Sequence, residues 1–319
     1  APGGLAITPI LAAQADATML DTAMTGSYSA TSASLTADDT VTRWMATAGI
    51  EARWPILFAT ANSSHVIEPI GQVFARPDET YIGMLPNEDA QSFVFDTTNL
   101  FDRDKFSGYD RIEGGTRANV GVRYTGAVGD SIGLYGLFGQ SYHLAGTNSF
   151  AGPDMVNAGA DSGLETDVSD FVGMAGASYQ DMISAAFRGR FDEETFGVKR
   201  AEAELGYTTY PLTASASYAY IDAQPVYGFT TERREVSGSA TLRFAEFWRV
   251  SGLATYDITN DRLAKSGIGL AYDDECFALG LHWRQTRDAS NEVSNSFGFR
   301  LAFRTLGDFG SDFSAFGEN

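Results

Sequence analysis

Ser296-Phe297-Gly298-Phe299-Arg300-Leu301-Ala302-Phe303-Arg304 decides the fold class. Large apolar side chains occupy every second residue, and Ser296, Gly298, Arg300, Ala302 and Arg304 fall between them. A period of two is that of a β-strand, whose successive side chains leave on opposite faces. The same split recurs upstream. Phe277, Leu279, Leu281 and Trp283 alternate with Cys276, Ala278, Gly280, His282 and Arg284. Trp248, Val250, Gly252, Ala254 and Tyr256 alternate with Arg249, Ser251, Leu253, Thr255 and Asp257. Each segment has one apolar face and one face of mostly small or polar residues, and helix-period patterns are hard to find.

Extending this reading outward predicts strands over 3–19, 23–36, 41–59, 62–76, 114–127, 130–143, 168–179, 182–191, 196–208, 211–222, 232–244, 246–258, 262–272, 275–286 and 293–306. These are about 15 strands, many near the ~9–11 residues that a tilted membrane strand needs. Pro55 and Pro69 fall inside two of them, where a missing N–H is awkward. The connections sort by parity. Every second one is short (20–22, 60–61, 128–129, 180–181, 209–210, 245, 273–274), and all the long segments (77–113, 144–167, 223–231, 287–292) fall on the other side. Short turns at one end and long loops at the other is the layout of a transmembrane β-barrel of the bacterial outer membrane, with the short turns periplasmic. Aromatics near strand ends (Tyr142, Tyr179, Phe191, Tyr207, Tyr210, Phe244, Trp248, Tyr272, Trp283) fit its interfacial girdles. Counting back from 293–306 puts the start of 3–19 at the extracellular side, so residues 1–319 read as the C-terminal part of a larger barrel domain.

Composition bounds the function. The chain has 319 residues, a net charge of −19, 34 glycines and one cysteine, and its lysines are only Lys105, Lys199 and Lys265. So acidic a chain lacks the surplus cations that nucleic-acid phosphates require. No run of 18 apolar residues offers a transmembrane helix. No catalytic constellation emerges. His65, His143 and His282 lie far apart, and Ser141 and His143 share a strand with no orienting acid in view. Gly133, Gly136 and Gly139 stand in an alternating strand, not at the strand-to-helix turn of a phosphate loop. Asp78, Glu79, Glu88, Asp89, Asp96, Asp102, Asp104 and Asp110 crowd the longest loop; a solvated surface explains them better than a divalent-cation site. No cofactor or metal is therefore expected. Cys276 lies at the short-turn end of its strand, beside Asp273–Glu275. That place favours a disulfide partner elsewhere, in an oxidising compartment, over a buried free thiol.

Some of these residues also carry a resemblance. Asn99-Leu-Phe-Asp-Arg-Asp-Lys-Phe-Ser-Gly-Tyr-Asp-Arg-Ile-Glu-Gly-Gly-Thr-Arg117, running into Ala-Asn-Val-Gly-Val-Arg-Tyr124, resembles the signature of the LptD family of lipopolysaccharide-assembly proteins. Gly139-Gln-Ser-Tyr-His143, Ser169-Asp-Phe-Val-Gly173, Tyr272-Asp-Asp-Glu-Cys-Phe277, Thr305-Leu-Gly-Asp-Phe309, Trp54-Pro55 and Glu68-Pro69 are similar to further family positions in the right order. The resemblance implies a barrel of ~26 strands, here with about 15 C-terminal ones, without the N-terminal jellyroll or early strands. It implies lipopolysaccharide as the transported lipid, the lipoprotein LptE as a plug, and periplasmic Lpt bridge proteins docking through the jellyroll. Lipid would pass through the lumen and a lateral gate into the outer leaflet. One gate edge would be 293–306, with Ser296, Gly298, Arg300, Ala302 and Arg304 on its lumen face. Cys276 matches the family cysteine that bonds to the N-terminal region; Glu275 stands where some members carry a second cysteine. The alternative is a passive porin, complete at about 14 or 16 strands.

Overall fold

A computed structural model describes residues 2–20, 36, 40–90, 93–152, 157–288, 290–303 and 307–310. Its strands are β1 (Ala6–Met19), β2 (Thr40–Arg53), β3 (Ile56–Ala59), β4 (Ser63–Ala75), β5 (Thr116–Val128), β6 (Ile132–Ala145), β7 (Phe171–Tyr179), β8 (Ile183–Phe191), β9 (Val198–Thr209), β10 (Leu212–Ile221), β11 (Arg233–Arg243), β12 (Trp248–Asp257), β13 (Arg262–Asp273), β14 (Phe277–Arg287), β15 (Val293–Phe303) and β16 (Gly307–Gly310). All join one sheet in chain order, with β3 continuing the line of β2 beside β4. Every pairing is antiparallel. Among the described residues β1 and β16 are its two edges.

The register converts the alternation of single strands into two continuous faces. Phe299, Leu281, Leu270, Val250, Leu242 and Leu212 form one row across β15 to β10. Two residues away, Phe297 is 81 % exposed, and its row holds Trp283 and Ile268. Large apolar side chains standing open along a whole face mark a surface whose solvent is hydrocarbon, not water. The rows between them carry Ser296, Arg284, Gly267, Leu253, Ser239 and Ser215. There the side-chain oxygens pair across strands: Ser215 with Ser239 at 2.8 Å, Ser217 with Ser237 at 2.6 Å, Thr241 with Ser251 at 2.9 Å.

Aromatics collect at both ends of the apolar face. Trp248 meets Tyr272 with ring centroids 5.0 Å apart, and Tyr272 meets Phe277 at 5.2 Å, near the short turns. Phe138, Phe171 and Phe196 stack near the long loops, at 5.6 and 5.1 Å. Along β8, Ile183 to Phe191 spans about 27 Å at ~3.4 Å per residue, close to the ~25 Å apolar band of outer-membrane barrels. Trp283 belongs to neither girdle: it sits mid-strand between Ile268 and Phe297.

Two expectations are corrected. The strand expected over 23–36 lies outside the described residues except for Thr36, and β1 pairs directly with β2 from Ala6↔Arg53 to Met19↔Thr40. No strand from 20–39 therefore stands between β1 and β2, which meet at the long-loop end. With that change the connections alternate throughout: 60–62, 129–131, 180–182, 210–211, 244–247, 274–276 and 304–306 at one end, and 20–39, 76–115, 146–170, 192–197, 222–232, 258–261 and 288–292 at the other. The strand count moves by one, so β1 begins at the short-turn end and not at the extracellular side. The second correction concerns 293–306. The strand stops at Phe303, and β16 returns beside it over Arg300↔Gly310 to Phe303↔Gly307. The short-turn part of β15, Arg300–Phe303, is thus paired on that side as well.

Pro55 and Pro69 share one place. Trp54-Pro55 interrupts the line of β2 and β3, and Trp54 N–H donates to the carbonyl of Pro69, in β4 opposite, at 3.1 Å. Their two missing donors thus fall at one irregular spot, and a third strand proline, Pro9, lies in the edge strand β1, where proline is tolerated.

Candidate functional site: the loop-packed inner face and the open edge

The long connections 76–115 and 146–170 fold back onto the polar face. Their core is Phe93, Phe95, Leu100, Phe106, Phe150 and Leu164, which closes on Val172 of β7. Phe106 and Phe150 stack at 4.4 Å. The sheet makes room through glycine: a Cβ on Gly139 would strike Leu100 at 2.6 Å, and one on Gly121 would meet Phe101 at 3.0 Å. Gly139 of β6 and Gly121 of β5 thus let the loops pack closely on the sheet.

Beneath this core lies a buried charge cluster. Glu113 and Arg117 are each 1 % exposed at the side chain, and Arg117 Nε donates to Glu113 Oε1 at 2.6 Å. Arg76 Nη1 reaches the same oxygen at 3.5 Å, and the Lys105 backbone N–H donates to Glu113 Oε2 at 3.1 Å. Arg117 also donates to Asn148 Oδ1 at 3.0 Å and Ser141 Oγ at 3.4 Å. The chain of contacts continues into the sheet: Ser141 Oγ donates to Asn119 Oδ1, Asn119 to Gln72 Oε1, and Gln72 to Glu51 Oε2. Lys105 Nζ caps the carbonyls of Asn99, Leu100 and Asp102 at 3.3, 2.9 and 3.2 Å. Burial works against the charge of Glu113, but Arg117, Lys105 and Arg76 outweigh it and hold its pKa below the usual glutamate value. Burial, helped by Glu113, pushes Asp104 up to about 6, and burial brings Lys105 down to about 8. On the β1–β2 side Arg43 fastens the same loop, pairing with Asp16 at 2.9 Å and donating to the carbonyls of Asp110 and Tyr109 at 2.9 and 3.0 Å.

The acidic residues of the long loop are fasteners too. Asp89 accepts from the N–H groups of Tyr109 and Asp110, Asp110 from those of Glu88 and Asp89, and Asp78 from that of Thr147. Asp78, Glu88, Asp89 and Asp102 remain exposed, as a solvated loop predicts, but the oxygens of Asp78, Asp89 and Asp110 also tie loop to loop. The three carboxylates that do converge are Asp170, Asp192 and Glu193, with oxygens within 4.8 Å of one another. Arg190 already stands 3.1 Å from Asp170 and balances charge there. Ser141 and His143 likewise have structural partners: Ser141 engages Asn119 and Arg117, and His143 Nε2 lies 2.9 Å from the Gly146 carbonyl oxygen. The network Glu51–Gln72–Asn119–Ser141–Arg117–Glu113 escaped the sequence reading. Its one visible trace was the run of polar residues Arg117 and Asn119 at successive inward positions of β5.

At the other edge, Ser296, Gly298, Arg300 and Ala302 share the polar face of β15, paired with Arg284, His282, Gly280 and Ala278. Arg304 lies outside the described residues. Cys276 is free and exposed in the turn before β14, its N–H donating to Asp274 Oδ1 at 2.7 Å. It therefore faces the short-turn side, as expected.

The LptD family profile, described as LPS transport system D, matches residues 1–248. The LPS-assembly protein LptD of Saccharophagus degradans is 24 % identical over 250 residues; the match takes in 72 % of this chain and 28 % of that protein. Among solved structures, the siderophore receptor PirA of Acinetobacter baumannii gives a TM-score of 0.44 at 9 % identity, covering 95 % of this chain and 54 % of its own. The FrpB iron transporter of Neisseria meningitidis gives 0.41 at 11 % identity, covering 85 % and 50 %. With its profile matched over more than three quarters of the residues, the chain belongs to the LptD family, a family of the bacterial outer membrane.

Proposed function

We propose that this chain is the C-terminal wall of a lipopolysaccharide translocon. The observation that carries the reading is the two-faced sheet with an unclosed edge. Its outer face is apolar along the strands, its inner face is small and polar, and among the described residues β1 and β16 are left as edges. A strand edge in hydrocarbon leaves backbone groups unsatisfied, so in the bilayer the wall is completed by further strands of a barrel of ~26. Lipopolysaccharide has acyl chains suited to hydrocarbon and a hydrated, phosphorylated headgroup suited to a polar lumen. A seam at β15–β16 lets both move outward together, with Ser296, Gly298, Arg300, Ala302 and Arg304 along the headgroup side. No covalent bond changes, so no catalyst is required. LptE fills part of the lumen in this scheme, and periplasmic Lpt bridge proteins deliver the lipid through a jellyroll joined by a disulfide to Cys276.

The test is photocrosslinking in the full-length protein. Benzoylphenylalanine at Gly298 should capture lipopolysaccharide through its sugars, and the same group at Phe299 should capture acyl chains. Capture of phospholipid alone at both positions would overturn the reading.

A further inference from the structure

The two long connections are anchored by the same device, built with opposite charge balance. Each anchor is an inward arginine beside a register shift at the long-loop end of its strand: Arg117 of β5, next to the shift at Thr116, and Arg190 of β8, next to the shift at Phe191. A bulge bends the strand and re-aims a side chain, and each arginine reaches a buried acid of the loop above it. Arg117 takes Glu113 of 76–115, and Arg190 stands 3.1 Å from Asp170 of 146–170.

The second anchor holds one short stretch. Arg190 Nη1 donates to the Ser162 carbonyl, Asp170 N–H donates to the Gly163 carbonyl at 2.9 Å, and Phe95 N–H donates to the Ser162 carbonyl at 3.2 Å. A Cβ on Gly163 would strike Asp170 Oδ2 at 2.8 Å, so the chain is drawn tight against the carboxylate. Ser162 is thereby tied to the loop core through Phe95 and to the sheet through Arg190.

Charge separates the two anchors. Three cations, Arg117, Lys105 and Arg76, face Glu113, against one further acid, Asp104. Around Asp170 the balance is reversed. From β8 comes Arg190. From the 192–197 turn come Asp192 and Glu193, whose oxygens lie within 4.8 Å of that of Asp170. From its own connection come Glu165 and, facing Arg190, Asp161. The β9 cations Lys199 and Arg200 are drawn off to Asp192 at 3.3 Å and to Glu202 at 2.8 Å. One buried guanidinium cannot balance two adjoining carboxylates, and such a pair is relieved when one of them takes up a proton. Burial, opposed by Arg190 and helped by Glu193 and Glu165, pushes Asp170 up to about 7.

We propose that Asp170 and Glu193 make this anchor a proton-dependent latch: with a proton shared between them the stretch 157–170 is held on β8, and without it that stretch lifts while the Glu113 anchor stays shut. The loops thus stay fixed on the 76–115 side and part from the sheet on the β7–β9 side as the medium turns alkaline. A carboxyl raised by folding adds stability that is fully present below about 4, declines from there to about 7 and is lost above it. The latch is independent of what the lumen carries.

The test is hydrogen exchange, corrected for intrinsic rates, on the full-length protein in nanodiscs at pH 5.5 and 8. Parent, E193Q, D170N and D104N are compared, with folding checked by heat-modifiable electrophoretic mobility. In the parent the opening constant of 157–170 should rise at least about tenfold from pH 5.5 to 8. In E193Q, whose amide donates to Asp170 in place of the shared proton, that stretch should stay closed at both pH values. D170N, neutral at both, should show no pH response whatever its absolute rate, and D104N should respond as the parent does. A flat parent overturns the latch with no variant needed. A parent-like response in either E193Q or D170N overturns it too, because the carboxyl pair is then not what titrates. A response lost in D104N overturns it by assigning the titration to the other loop.

Discussion

Removing Arg117 should release the long loops without unfolding the sheet. In Arg117→Ala, Glu113 loses a donor at 2.6 Å and keeps only the Arg76 guanidinium at 3.5 Å and the Lys105 backbone N–H. Breaking one partner from a buried ion pair costs about 3–5 kcal/mol. Asn148 Oδ1 still accepts from Phe150 N–H at 3.1 Å, and Ser141 still donates to Asn119, so the secondary losses are smaller. About 4 kcal/mol corresponds to a roughly thousandfold rise in the opening constant of the loop core. The geometry also ranks the neighbours. Glu113→Ala strands two buried guanidinium groups and should cost more than Arg117→Ala. Arg76→Met should cost least, because Arg76 Nη1 and Nη2 make no hydrogen bond and the group is held by Glu113 and the Phe74 ring, 5.2 Å away. Hydrogen exchange on the full-length protein reads this directly. Amides of 93–113 and 157–166 should lose protection in the order E113A, R117A, R76M, with the ladder of β8 to β12 unchanged. A reversed order refutes the reasoning. So does an R117A effect under about fivefold, since a solvated surface pair contributes no more than that.

The remaining expectations concern separate parts of the molecule. Asp104, raised to about 6 by burial, is neutral in the folded loop below that pH, so its contribution is fully present below about 4 and is lost as pH rises through 6. The loss is about 3 kcal/mol; loop exchange, corrected for intrinsic rates, should slow between pH 7.5 and 5.5, and Asp104→Asn should flatten that change. On the lipid face, Ile268→Arg should cost about 2–4 kcal/mol of barrel stability, whereas Gly269→Arg, one residue on and inward, should cost far less; urea titration in micelles distinguishes them. Gly139→Val should strike the Val120 carbonyl of β5 as well as Leu100, and should therefore lower the heat-modifiable folded fraction as well as raise protease cleavage within 93–113. Cys276→Ser in the full-length protein should abolish a mobility difference between reduced and non-reduced samples; identical mobilities in the parent would remove the disulfide.

The sheet was legible because it obeys one local rule. A period of two along Ser296–Arg304 or Cys276–Arg284 fixes which side chains share a face, and the register then stacks Phe299, Leu281, Leu270 and Val250 into one row. Strand ends came within a few residues for the same reason. The gap between Met19 and Thr40 was not legible: 23–36 alternates well enough to read as a strand, and nothing local shows that β1 passes it over to pair with β2. That single error moved the start of β1 from one face of the membrane to the other. An up-and-down sheet makes sidedness a matter of counting, so one misread strand inverts everything upstream of it and nothing downstream. This is why the strands downstream of the gap kept their directions while β1 did not.

The loops failed to show for a different physical reason. Asp89 and Asp110 look like solvated acids in a linear reading, because the N–H groups they accept from at Tyr109, Asp110 and Glu88 lie 20 to 22 residues away. A carboxylate that closes a turn and one that faces water have the same sequence signature; only the fold distinguishes them. The consequence bears on function. A loop held by apolar packing alone over a water-filled lumen would have one weak side, whereas here Arg117 and Glu113 join it to β5 and, through Ser141, Asn119 and Gln72, to β6 and β4. Buried polar networks of this kind resist partial opening, since each member that leaves strands the next. The long-loop end is therefore fastened by polar ties as well as by apolar packing.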